Sequence, residues 1–101
     1  MIARIGHGVT PAAKAEAYLR FLEERAVPDY AGIAGNRGVH VLHRIDGEFA
    51  HFLTLTFWDS LDSIRAFAGD DVEKAKYYPE DLEFLLDFEP YVTHYEVAED
   101  P

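Results

Sequence analysis

Residues 51–67 read H-F-L-T-L-T-F-W-D-S-L-D-S-I-R-A-F, and their reading decides the fold. From His51 to Trp58 the run is rich in β-branched and aromatic residues, the composition of a strand. Asp59 or Ser60 then supplies a helix cap. Leu61, Ile64, Phe67 and Ala68 recur at helical spacing, so the strand passes straight into an amphipathic helix that Gly69 closes. Leu53, Leu55 and Phe57 alternate with Phe52, Thr54, Thr56 and Trp58, which leaves large apolar side chains on both faces of the strand. A sheet with one face in water would show one polar face instead.

Upstream lies the partner of this strand. Val39 to Ile45 is a run of β-formers, and Asp46-Gly47 is a type I′ turn dipeptide, so Glu48 to Trp58 is expected to return as a hairpin. With a two-residue loop at Asp46-Gly47, Ile45 pairs with Glu48 and Leu42 with His51. His40, Leu42, Arg44, Phe49, His51, Leu53, Leu55 and Phe57 then share one face, and Val39, Val41, His43, Ile45, Ala50, Phe52, Thr54, Thr56 and Trp58 the other. Earlier still, Ile2 to Val9 reads as a first strand. Thr10-Pro11 marks a helix start, and Ala15, Tyr18, Leu19, Leu22 and Ala26 form the buried stripe of a helix expected to stop before Pro28. Downstream, Asp70 to Lys76 is expected to form a short helix. The acidic run from Glu80 to Glu89 reads as a solvated face, and Tyr91 to Val97 as the last strand.

The order β-α-β-β-α-β predicts an α+β, ferredoxin-like domain spanning residues 1–101, with a four-stranded antiparallel sheet and helices on one face. Two helices cover one face only. Leu42, Phe49, Leu53, Leu55 and Phe57 would otherwise stand in water, at roughly 1.5–3 kcal/mol of forgone burial each, so a homodimer closing sheet against sheet is expected. With 101 residues, 49% of them hydrophobic, the chain has material for one modest core. Nineteen acidic against nine basic residues give a net charge of −10, which disfavours nucleic-acid and anionic-membrane partners. No signal-peptide layout or membrane-length apolar run is present, so a cytoplasmic, soluble protein is expected. The absence of cysteine removes thiol chemistry and thiolate metal sites. The five histidines (His7, His40, His43, His51, His94) lack a three-ligand spacing, so no metal is expected.

The β-α-β-β-α-β order, with Thr54-Leu55-Thr56-Phe57-Trp58-Asp59-Ser60 leading into Ile64 and Phe67, resembles the antibiotic biosynthesis monooxygenase superfamily of dimeric α+β barrels. The resemblance runs from Ile2 to Val97. It implies a pocket between sheet and helices for a small hydrophobic or aromatic molecule. It also implies oxidation of a quinol or polycyclic phenol by molecular oxygen, with no cofactor. A second branch of the superfamily binds and degrades heme through a first-strand asparagine, the strand-end tryptophan and a histidine after the second helix. Here only Trp58 carries over; Ile5 stands at the asparagine position and Tyr77 or Tyr78 at the histidine. On this reading His7 and His43 are candidate bases on the helix-facing side, and Phe52, Thr54, Thr56, Trp58 and Tyr77 candidate substrate contacts. A non-catalytic ligand-binding or scaffold dimer of the same fold, and a heme protein, are the alternatives.

Overall fold

The computed structural model describes residues 1–98. Four strands, β1 (Ile2–Pro11), β2 (Asn36–Asp46), β3 (Phe49–Trp58) and β4 (Thr93–Glu96), form one sheet in the order β2-β3-β1-β4. All neighbours are antiparallel, which is the ferredoxin-like arrangement. The helices pack on one face of it. Among the described residues no helix is long and apolar enough to cross a membrane.

The hairpin pairs Asp46 with Phe49 and Ile45 with Ala50, so its loop is Gly47-Glu48 rather than Asp46-Gly47. Gly47 has φ +61°, and among the described residues no non-glycine residue has a positive φ. This is the signature of a type II′ turn, in which only the first central residue takes the positive φ. A type I′ turn at Asp46-Gly47 would have forced Asp46 into that region too. The slip moves each partner by two residues, an even number, so both faces keep the membership expected from sequence.

The first helix differs more. A 3-10 turn (Ala12–Lys14) leads into α1 (Ala15–Phe21), then a π-helical turn (Leu22–Ala26), then α2 (Val27–Ala31). Pro28 therefore does not end the helix; it sits in the first turn of α2, where its missing N–H is tolerated. The Val27 N–H reaches back five residues to the Leu22 carbonyl. Tyr18, Leu22, Ala26 and Tyr30 are all buried as a result, on a single inward line. In an unbroken α-helix, steps of four residues drift by about 40° each, and the π turn takes up part of that drift.

Ser60 caps α3 (Leu61–Ala68) by accepting the Ser63 N–H at 3.3 Å, and Gly69, at φ +89°, ends it. Ile64 and Phe67 bury against Trp58 and Tyr30. The segment 70–78 is not a helix: its contacts are a turn and an isolated bridge, Lys74 to Tyr91. The acidic run is not merely a solvated face either. Pro79–Glu83 is a 3-10 helix fastened to the first helical segment, Arg25 to Glu80, Tyr78 to Asp29 at 2.6 Å, and Lys14 to the Glu83 carbonyl at 2.6 Å.

Candidate functional site

Between sheet and helices lies a cavity of about 60 Å³. Its floor exists because β1 places glycine where side chains would fill it. Gly6 pairs with Thr54 and Gly8 with Phe52 on the helix-facing side. A Cβ built on Gly6 would stand 2.9 Å from the Thr54 hydroxyl, and one on Gly8 2.9 Å from a Leu85 methyl. Glycine at alternate strand positions commonly marks such a close approach. Phe52 and Tyr18, edge to face at 4.9 Å, form one wall, and Tyr77 and Tyr78 close the outer side.

Arg4 enters from the same face of β1 and is 3% exposed. Its guanidinium donates to the carbonyls of Val72 and Lys74, the latter at 3.1 Å, and to His94 Nε2 at 3.2 Å. Among the described residues no carboxylate lies within ion-pair distance of it. Burial lowers the Arg4 pKa, and the Tyr30 hydroxyl nearby partly opposes this. Burial first, and then the Arg4 charge, lower the His94 pKa, so its imidazole stays neutral and acts as an acceptor.

The opposite end of the cavity carries Asp81, 3% exposed. One carboxylate oxygen accepts the Tyr78 N–H at 2.6 Å, and the other accepts the Tyr18 hydroxyl at 3.4 Å. Burial raises the Asp81 pKa above the usual carboxylate range, although both hydrogen bonds pull it back. Burial also pushes the Tyr18 and Tyr30 hydroxyls upward, so both stay protonated at neutral pH. The cavity thus has a cationic end, a carboxylate end and aromatic walls.

No protein-family model matches the chain, and no curated protein matches its sequence. Among solved structures, it is similar to the crystal structure of an arginine-to-serine mutant of MhuD with two manganese protoporphyrin IX molecules per active site. That likeness covers 100% of this chain and 98% of the other, with a TM-score of 0.62 and 18% sequence identity. The two share the ferredoxin-like α+β fold. At that identity the likeness speaks for the fold alone, and the site has to be read from the residues themselves.

Of the residues expected from sequence, His7, Phe52, Thr54, Thr56 and Tyr77 border the cavity. Trp58 does not. It is fully buried beneath it, against Tyr30 and Phe67, and its indole N–H donates to the Thr56 hydroxyl at 2.8 Å. His43 lies on the helix-facing side of edge strand β2 but is exposed, stacked on Phe52 outside the cavity. His7 borders the cavity from β1, but its ring lies on the other face of the sheet, with Glu89 and His51. It pairs with Leu53, so its imidazole points away from the helices and Arg4 takes the inner side. The apolar neighbours Ile5 and Val9 made the reverse assignment natural, but the two glycines let helix and loop side chains close onto Arg4's face.

On the open face His7 Nδ1 meets Glu89, and His7 Nε2 lies 3.2 Å from His51 Nδ1, with the two rings stacked at 5.4 Å. A shallow depression of about 290 Å³ beside them is lined by Leu42, Arg44 and Leu53. Among the described residues no group of three or more His, Cys, Asp or Glu side chains is arranged to hold a metal ion. Leu42 and Phe49 on this face are 47% and 48% exposed, and Leu53, Leu55 and Phe57 are half-buried. Sequence reasoning missed Arg4, Gly6, Gly8, Tyr18, Tyr30 and Asp81 as cavity residues. The G-H-G alternation in β1 was the available signal.

Proposed function

We propose that the chain is a cofactor-independent monooxygenase acting on a small aromatic, quinol-like substrate in the cavity between sheet and helices, and that it works as a homodimer. The observation that carries this reading is the buried Asp81 carboxylate, set across an aromatic-walled cavity from a cation. Such a carboxylate is a better base than one in water, because its raised pKa narrows the gap to a phenolic or enolic proton. Asp81 takes the base role in place of His7 and His43, whose rings lie elsewhere. The electron-rich anion left by deprotonation supplies electrons to dioxygen directly. At the ring CH2 of the keto tautomer two hydrogens leave, one oxygen atom becomes the carbonyl and the other departs as water. Substrate and O2 alone balance that reaction.

The closed cavity is under half the ~150 Å³ that a benzene ring occupies in an engineered core. A ring therefore enters by displacing Tyr77 and Tyr78, which lie in a stretch of irregular backbone. The smaller displacement that one ring requires, Trp58 buried away from the rim, and the absence among the described residues of an imidazole ring turned into the cavity favour this substrate over a porphyrin. The dimer reading rests on the open face. Among its strand residues the one carboxylate is Asp46, at the hairpin tip, although the chain carries 19 acids and a net charge of −10. Glu89, the other carboxylate described on that face, is paired with His7, so a second copy can approach through it and bury Leu42, Phe49, Leu53, Leu55 and Phe57.

The test is oxygen uptake with anthrone or 1,4-dihydroxynaphthalene, using labelled dioxygen. One labelled atom per product, lost in Asp81→Asn, supports the reading. No uptake above the uncatalysed rate, together with a Soret band on hemin titration, would replace it with the porphyrin alternative. Silence in both would leave a binding module.

A further inference from the structure

Arg4 poses a problem that its hydrogen bonds do not solve. The carbonyls of Val72 and Lys74 and the neutral His94 satisfy three of its five N–H groups, and they contribute dipoles but no charge. A buried cation without a counter-charge is costly, and dipoles offset only part of that cost. A structural staple for the 72–74 segment would not need to line a cavity, yet Arg4 does. Lys76, exposed and with its ammonium 4.4 Å over the Phe67 ring, lines it as well. In a chain with only nine basic residues and a net charge of −10, two of them border this one space. Among the described residues the one carboxylate lining it is Asp81, which is not within ion-pair distance of Arg4.

We propose that Arg4 is a ligand-binding residue that selects for a negatively charged group, so that the substrate is a small aromatic or enolic acid whose carboxylate pairs with the free Nε–H and Nη2–H of Arg4. Lys76 attracts the anion, and Arg4 receives it inside. The acidic end meets Arg4 and the hydroxyl to be deprotonated lies toward Asp81. This rests on the cavity reading above and adds the charge class of what fills it.

The test leaves the protein unchanged and varies the probe. Benzoate and benzamide have nearly the same shape and differ in charge. Calorimetric titration should give benzoate at least tenfold tighter binding than benzamide. The Arg4 Nε–H resonance should move with benzoate, along with the amides of Phe52 and Thr54. Because the pair is shielded from solvent, raising salt from 50 to 300 mM should weaken benzoate by less than about threefold. Benzamide binding within about twofold of benzoate overturns the charge selection and leaves the cavity reading standing. No binding by either, with Phe52 and Thr54 unmoved, overturns both. Benzoate shifts confined to Arg44 on the open face also overturn the proposal. Arg4→Lys, which keeps the charge but not the fork, should bind benzoate more weakly yet still prefer it to benzamide.

Discussion

Replacing Thr56 with valine removes one oxygen atom from the driest part of the protein. Trp58 and Thr56 are 0% and 1% exposed, and the Thr56 hydroxyl is the partner of the indole N–H at 2.8 Å. The same hydroxyl reaches the Arg4 carbonyl at 3.4 Å. Valine keeps the shape and the strand propensity, so packing should change little. What it leaves behind is a buried N–H without an acceptor, at a cost of roughly 1–3 kcal/mol. For a domain of this size that corresponds to a melting temperature lower by ~4 °C or more. Trp58 is the only tryptophan, so urea unfolding followed by its fluorescence reads the site directly. Pairing the change with Trp58→Phe in a double-mutant cycle, followed by far-ultraviolet circular dichroism because Trp58→Phe removes the fluorophore, should recover a coupling of about 1 kcal/mol. A midpoint shift equivalent to less than ~0.5 kcal/mol would refute the reasoning, since the indole would then have found water in a place described as dry.

Three further outcomes follow from the same structure. Asp81 has a folded-state pKa above its unfolded value, so it binds a proton more tightly when folded and penalises the folded state as pH rises through that range. Asp81→Asn should accordingly be at least as stable as wild type at pH 7, with the advantage disappearing below about pH 4, as thermal melts against pH would record. His94 runs the other way: its folded pKa is lowered, so stability should fall as pH drops below about 6.5, and His94→Gln should flatten that slope. Leu53→Glu places a charge at the centre of the open face without touching the cavity, and sedimentation should report a shift from dimer to monomer; an unchanged dimer would move the interface elsewhere.

The fold was legible because its signals are local and mutually consistent. Ser60 and Gly69 bracket α3, and the hairpin's alternation is regular enough that an even-numbered register slip left its faces intact. The cavity was harder to read. In β1 the open face carries Ala3, Ile5 and Val9 while the inner face carries Arg4, Gly6 and Gly8, so hydrophobicity points the wrong way. Only the approach of Leu85 and Tyr18 over Gly8, and of Val92 over Gly6, shows why the inner face can hold an arginine. The segment 70–92 carries Tyr77, Tyr78 and Asp81, and its conformation depends on bonds to distant partners such as Arg25, Asp29 and Tyr18. No local periodicity encodes such ties.

The π turn at Leu22–Ala26 holds one residue more than an α-helix would use for the same turn. Removing one solvent-facing residue, such as Glu24, would let the helix run as plain α, and by ordinary measures it would be a better helix. It would also turn everything beyond the deletion by about 100° relative to what precedes it. Tyr30 would swing away from the Phe67 ring, 4.3 Å distant, and from the neighbourhood of Arg4. Length variation at this point in related chains is therefore a marker of whether the cavity is maintained: where the extra residue is lost, the tyrosine four places beyond Ala26 should lose its reason to be a tyrosine.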